Sequence, residues 1–314
     1  MKKITTSLLL LTCINLQANE DKSYFELAIE ETNDYRKFIH ESLVSSASAI
    51  DNYYFEKKNK NIEDYSSTYG KIELSTFYNE DENLSFDQRV KIKLKLPKLK
   101  DRLRLVFESD EDRESKDYVE NHTQNKNDDF NLALLYSKIV NDSIDFKTKL
   151  GVKLNNGLDP FVKADIEKRW ENINTLDYVL KQTVKESVEK KLETTTSFKV
   201  SKKLTTNFYL HNYNEYYWHS IDKENSEFAH SIYLNQRVTN KDLLTYQIAT
   251  SINNIDSNMK IKRNSLSLKY RHLFKKWLYV DVIPENYYKI EDNFKPKYAL
   301  RLNLGMIFNK DSYK

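Results

Sequence analysis

Two adjacent pairs, His219-Ser220 and His230-Ser231, set a base beside a hydroxyl, the combination on which acyl-transfer chemistry depends. Side chains alternate faces along a strand, so neither pair makes a nucleophile–base contact by itself. An HExxH helix, a G-x-S-x-G elbow and a phosphate-cradling glycine loop are all missing from the sequence. Four Gly could scarcely build such a loop. The single cysteine, Cys13, excludes a disulfide framework and a Cys-based metal site. No catalytic residue, metal site or cofactor is expected. A lipolytic enzyme, with Ser and His converging on one surface, is the enzymatic alternative.

The informative chemistry is charge. Lys and Arg number 50 against 47 Asp and Glu, a formal net charge of +3, so the chain is no nucleic-acid polycation. The cations are nevertheless laid out unevenly. Positions that alternate with apolar residues carry Arg89, Lys91, Lys93 and Lys95, then Arg102 and Arg104, then Lys147, Lys149 and Lys153. Later runs add Arg263, Lys269 and Arg271, and Lys297 and Arg301. On the same face of those runs stand Asp87, Glu108 and Asp145. The connection 109–128 is the reverse, with Asp110, Glu111, Asp112, Glu114, Asp117 and Glu120 outweighing Arg113, Lys116 and Lys126. Facing a lumen, Lys and Arg rings would favour anions. The competing expectation is that the acidic loop or an N-terminal helix folds inward and neutralises them. Basic side chains near the strand ends would simply reach headgroups.

These residues lie on segments whose apolar residues recur at every second position. Leu84, Phe86, Val90, Ile92, Leu94 and Leu96 alternate with charged and polar residues, as do Ile144, Phe146, Leu150, Val152 and Leu154. The last run sets Tyr298, Leu300, Leu302, Leu304, Met306 and Phe308 against Lys297, Arg301 and Asn303. A strand with one greasy and one polar face fits a half-buried sheet or a membrane-spanning barrel. Run lengths near the ~9–11 residues of a tilted spanning strand, and the lack of a helical layer to cover the apolar faces, favour the barrel. A soluble β protein is the minor competitor.

The expected fold is therefore all-β: a transmembrane antiparallel up-and-down barrel of about fourteen strands, with twelve to sixteen admissible. The predicted strands are 69–79, 84–96, 102–109, 129–140, 144–154, 161–170, 174–183, 188–200, 204–217, 227–238, 243–252, 260–271, 276–283 and 297–309, with 161–200 the least defined. Tight periplasmic turns are predicted at Pro97–Lys100, Asn141–Ser143, Ser201–Lys203, Thr239–Asp242 and His272–Lys275. The connections 109–128, 218–226 and 284–296 fall on the other side, and both termini in the periplasm. Tyr213, Tyr216, Tyr217 and Trp218 at one end, and Phe274 and Trp277 at the other, would form the aromatic girdles.

Lys2 and Lys3 precede the short apolar core Leu8–Leu11, which reads as an export signal in residues 1–18. Cleavage after Ala18 competes with lipidation at Cys13. Residues 19–64 form a second unit. Phe25, Ile29, Tyr35, Ile39, Leu43, Ala47, Ile50 and Tyr54 recur at helical spacing, followed by a polar linker over 57–64. That amphipathic helix could plug the lumen, cross the periplasmic mouth, pack on turns or hold a periplasmic partner. The barrel occupies 65–314.

The last strand resembles the insertion signal read by the barrel-assembly machinery, with Asn303, Gly305 and Phe308 as its polar residue, glycine and aromatic. Six residues follow the aromatic, where most such proteins end on it. The closing hairpin, with Trp277-Leu278-Tyr279, Pro284-Glu285, Asn293-Phe294, Pro296 and Tyr298, resembles one in uncharacterised outer-membrane proteins of proteobacteria. The resemblance covers about the last forty residues and implies location, not activity. Together these readings predict a porin-like passive channel for small hydrophilic, anionic solutes in the bacterial outer membrane. The expected lumen-lining cations are Arg89, Lys91, Lys93, Arg102, Arg104, Lys147, Lys149, Arg263, Lys269 and Arg301. The expected partners are lipid, lipopolysaccharide, the assembly machinery and small solutes, with no nucleic acid. The alternative is a non-conducting structural or binding barrel that uses its helix as a plug or docking element.

Overall fold

In a computed structural model the chain forms one helix and fourteen strands closed into a barrel. The structure describes residues 24–54, 68–81, 83–96, 103–109, 130–141, 143–155, 157–173, 175–221, 226–255 and 258–308. The export-signal, linker and acidic-loop expectations, Arg102 and the Pro97–Lys100 turn lie outside them.

Helix α1 spans Tyr24–Tyr54. The strands are β1 (Tyr69–Asn79), β2 (Asn83–Lys95), β3 (Leu103–Ser109), β4 (Phe130–Asn141), β5 (Ile144–Asn155), β6 (Gly157–Ile173) and β7 (Leu176–Ser187). They continue as β8 (Lys191–Lys203), β9 (Phe208–His219), β10 (Ser226–Arg237), β11 (Asp242–Ile255), β12 (Asn258–Lys275), β13 (Leu278–Lys289) and β14 (Pro296–Phe308). Each pairs antiparallel with its sequence neighbours, and β1 pairs with β14 to close the sheet. Closure leaves no edge with unpaired backbone N–H and C=O groups, the condition a sheet must meet in hydrocarbon. The predicted strand count holds, and every predicted run overlaps one strand.

Period-two alternation decides the two faces. On β2, Leu84 and Phe86 are 58% and 74% exposed, whereas Ser85 between them is buried. On β5, Leu150 is 61% exposed between the lumenal Lys149 and Gly151. The apolar residues thus form the outer wall, and the polar register packs inward. No helix is long and apolar enough to cross a membrane among the described residues; the strands are the elements with an apolar outer face.

Several boundaries differ from expectation for local reasons. Ser201–Lys203 continue β8, and the turn is Leu204–Asn207, where the Thr205 hydroxyl accepts from the Asn207 and Phe208 amides. His272–Lys275 continue β12, and the turn is Lys276-Trp277. β13 runs through Pro284 to Lys289, six residues beyond its predicted end. Proline has no N–H, and β12–β13 pairing lapses between Ser267↔Glu285 and Tyr270↔Val282, at the site of Pro284. With Gly so scarce, the left-handed positions fall to other residues: Thr175, Lys191, Asn293 and Phe294 have φ between 51° and 67°.

The C-terminal half of α1 packs on outward positions at the end of the barrel that carries the start of β1 and the end of β14. Ala47, Leu43 and Val44 cluster with Leu94, Ile92 and Leu105. Leu43 also lies against Gly70, next to Phe308. Residues 43–47 of the helix therefore cover the outside of the closing seam. Leu43, Val44 and Ala47 thus lie against the outer face of the wall. Trp277, expected in the lipid-facing girdle, is buried instead, with the Arg36 guanidinium 5.2 Å from its ring centroid.

Candidate functional site

The lumen holds the polar register of all fourteen strands. Where neighbouring strands bring opposite charges into the same row, ion pairs form. The Lys149 ammonium donates to Glu108 at 2.6 Å, and Lys91 lies 3.2 Å from the same carboxylate. Arg263 pairs with Glu285 at 2.9 Å. Arg271 grips Asp281 with two hydrogen bonds of 2.6 and 2.7 Å, and Lys269 approaches that carboxylate at 3.5 Å. Arg89 is shared between Asp87 and Glu73, at 3.3 and 4.0 Å. Arg301 stacks over Phe77 at 5.1 Å.

The predicted cations Arg89, Lys91, Lys93, Arg104, Lys147, Lys149, Arg263, Lys269 and Arg301 accordingly occupy the inward register. The wall is more mixed than the sequence reading foresaw. Countercharge comes from carboxylates on other strands, Glu73 on β1, Glu193 on β8, and Asp281 and Glu285 on β13, with Asp165 and Glu167 of β6 in the same register. Glu73 and Glu193 are each the one acid of their strand, and Glu285 lies 22 residues from Arg263. Only the pairing register sets it beside its partner.

One part of the wall stays cationic. Register places Lys149 opposite Lys163, and Lys163 opposite Lys185, so three ammonium groups share one inward row across β5, β6 and β7. Like charges directly opposite on a sheet repel. The outer two are compensated, Lys149 by Glu108 at 2.6 Å and Lys185 by Glu193 at 3.4 Å. Lys163, in the middle and 8% exposed, has no ion-pair partner among the described residues. Around this row a cavity of about 230 Å³ is lined by Lys93, Arg104, Lys147, Lys149, Lys163 and Lys181 against Asp145, Asp165 and Glu167, six cations to three carboxylates. Arg104 and Lys147 likewise have no ion-pair partner among the described residues.

The adjoining wall is aromatic. Tyr213 and Tyr217, expected in the outer girdle, point inward and are 0% and 7% exposed. Their hydroxyls donate to Glu215, at 2.5 Å, and to Glu193. Tyr216, at 42%, faces outward as expected. His211 stacks on Tyr233 at 4.6 Å, also inward. Further round, Tyr279 and Tyr287 carry the Arg271 and Arg263 guanidinium groups 4.1 and 4.5 Å from their ring centroids. Alternation alone gave these positions, but girdle reasoning assigned aromatics by strand end instead of by parity.

The His230-Ser231 pair divides between the faces as alternation requires, and Ser220 lies in the bend after β9. His230 faces outward, while Ser231 is fully buried inside and accepts from the Gln247 amide at 3.0 Å. Among the described residues, no three His, Cys, Asp or Glu side chains are grouped to hold a metal ion.

No known family model matches the chain, and no curated protein is similar to it in sequence. Solved structures are similar in fold only. KdgM porin is 6% identical, with 75% of this chain and 98% of that one covered, at a TM-score of 0.36. The outer-membrane channel DcaP of Acinetobacter baumannii is 9% identical, with 77% and 96% covered, at 0.46. OmpF of Salmonella typhi, solved with daunomycin, is 9% identical, with 78% and 99% covered, at 0.49.

Proposed function

We propose that this protein is a porin-like passive channel of the bacterial outer membrane, carrying small hydrophilic solutes with a bias towards anions. Both termini, at the end of short turns, would face the periplasm. The observation that supports the bias is the row Lys149–Lys163–Lys185, whose central ammonium is set between two others by register. An anion passing this wall supplies the countercharge that Lys163 lacks among the described side chains, and confined cation groups of this kind set selectivity in pores. Biogenesis through the barrel-assembly machinery is the reading that Asn303, Gly305 and Phe308 support.

Purified protein in planar bilayers under a salt gradient tests this. Ohmic steps with a reversal potential displaced towards that of the anion are expected. Silent bilayers, or a cation-biased reversal, would overturn the reading.

A further inference from the structure

A hydrogen-bonded polar patch interrupts the outer wall near the centre of four adjacent strands. On β9, β10, β11 and β12 the outward register carries Asn214, His230, Thr250 and Asn264, paired directly side by side, with Asn212 two residues from Asn214. These side chains are bonded to one another. The Asn214 amide donates to Asn212 Oδ1 at 2.7 Å, and its own Oδ1 meets His230 Nδ1 at 2.8 Å. Thr250 donates to Asn264 Oδ1 at 2.9 Å. Apolar residues surround the patch: Tyr216, Ile232, Ile248 and Leu266 are 42%, 45%, 62% and 56% exposed.

Internal bonding does not exhaust these groups. With Nδ1 committed to Asn214, His230 Nε2 has no hydrogen-bond partner among the described residues. Hydrocarbon offers none, and polar groups at membrane depth are retained where protein or water covers them. Water is excluded by the apolar surround. A covering protein must meet the patch at its own depth. A second copy inserted the same way up does so automatically, because every residue then lies at the same depth in both copies. Facing walls related by a two-fold axis along the membrane normal bring the patch onto itself. Its chemistry is self-complementary, since amide, hydroxyl and ring groups supply donors and acceptors together.

We propose that the β9–β12 wall is the interface between two copies of this chain, with Asn214, His230, Thr250 and Asn264 hydrogen-bonding across it. The proposal is independent of conductance and stands or falls separately from it.

Disulfide cross-linking in proteoliposomes tests the proposal, on the Cys13→Ser background. Ile248→Cys should give a band at twice the monomer mass, and Leu150→Cys, exposed on the far wall, should not. Equal cross-linking of both, no cross-link at Ile248→Cys, or an adduct of some other mass would each overturn it. Asn214→Leu with His230→Leu gives a second, opposite-signed readout. If lipid covered the patch, these changes would raise the unfolding midpoint of the barrel. If a second copy does, they abolish the Ile248→Cys band and shift the species in detergent to the monomer mass by native mass spectrometry.

Discussion

The Tyr279 hydroxyl donates to Glu73 at 2.6 Å, reaching from β13 to β1 across the intervening strand β14. The residue it crosses is Gly305, paired with Tyr279 on one side and Glu73 on the other. A Cβ at Gly305 would lie 2.0 Å from the ring carbon Cζ, so glycine is what lets the ring pass. The seam between first and last strands is thereby fastened by a side chain as well as by backbone bonds. The same glycine belongs to the terminal strand's resemblance to an assembly signal, and here it also has a packing role.

Gly305→Ala is expected to destabilise the barrel by about 1–3 kcal/mol through forced displacement of the ring. Tyr279→Phe keeps the ring and leaves Glu73 with Lys71, at 3.0 Å, and Arg89. Loss of one hydrogen bond to a buried charged group costs about 1.5–3 kcal/mol. Urea midpoints in detergent, followed by heat-modifiable gel mobility, check both. Unchanged midpoints would remove the fastening role.

Helix docking should depend on pH. Burial, and the neighbouring Arg36 charge, lower the pKa of His40 from its ordinary 6.5, opposed by Glu41. A base depressed in the docked state contributes stability that is present above 6.5 and lost as pH falls below it towards the docked value. Hydrogen-exchange protection factors over residues 36–47, which allow for the slower intrinsic exchange in acid, should fall on acidification below that point. His40→Gln should flatten the dependence, and Trp277→Ala should accelerate exchange at every pH.

The far rim carries a different switch. Asp81, in the β1–β2 turn, accepts from Lys289 at 2.8 Å, from Tyr287 at 3.0 Å and from Lys297. Burial alone would raise its pKa, but these bonds together hold the carboxyl well below its ordinary 3.8. Its contribution is complete above 3.8 and fades only as pH falls towards the lowered value. Asp81→Asn should therefore lower the unfolding midpoint at neutral pH, with the difference from the parent shrinking in strong acid.

Selectivity should follow Lys163 and its neighbours. Lys163→Glu, which would sit between Lys149 and Lys185, is expected to reduce the anion bias of the reversal potential without unfolding the barrel. Lys147→Glu together with Lys163→Glu is expected to reverse it. Lys269→Gln, beside Asp281 on the far wall, should change it little.

Much of this architecture is legible in the chain, because strand parity is a local property. The run Ile144–Leu154 reveals its lumenal lysines and outward leucines without knowledge of any neighbour. Properties of pairs are not legible in this way. Glu285 lies 22 residues from Arg263, and Glu108 lies 41 from Lys149, yet each pair shares a row. Parity used as polar-inside, apolar-outside also hides its own exceptions. Asn212, Asn214 and His230 stand in the outward register, where the assumption admits no polar residue. Trp277 was assigned to lipid because nothing in its own strand shows that α1 returns to cover it.

Everything argued for the lumen rests on water behind the wall and hydrocarbon in front of it, and β5 tests both together. Nitroxides introduced singly at 146–153 in bilayers report oxygen, which concentrates in lipid, and a water-soluble nickel chelate. Oxygen accessibility should peak at 146, 148, 150 and 152, with chelate accessibility peaking at 147, 149, 151 and 153. Chelate access to both sets would contradict a membrane-facing wall, and access to neither odd nor even positions would contradict a solvated channel.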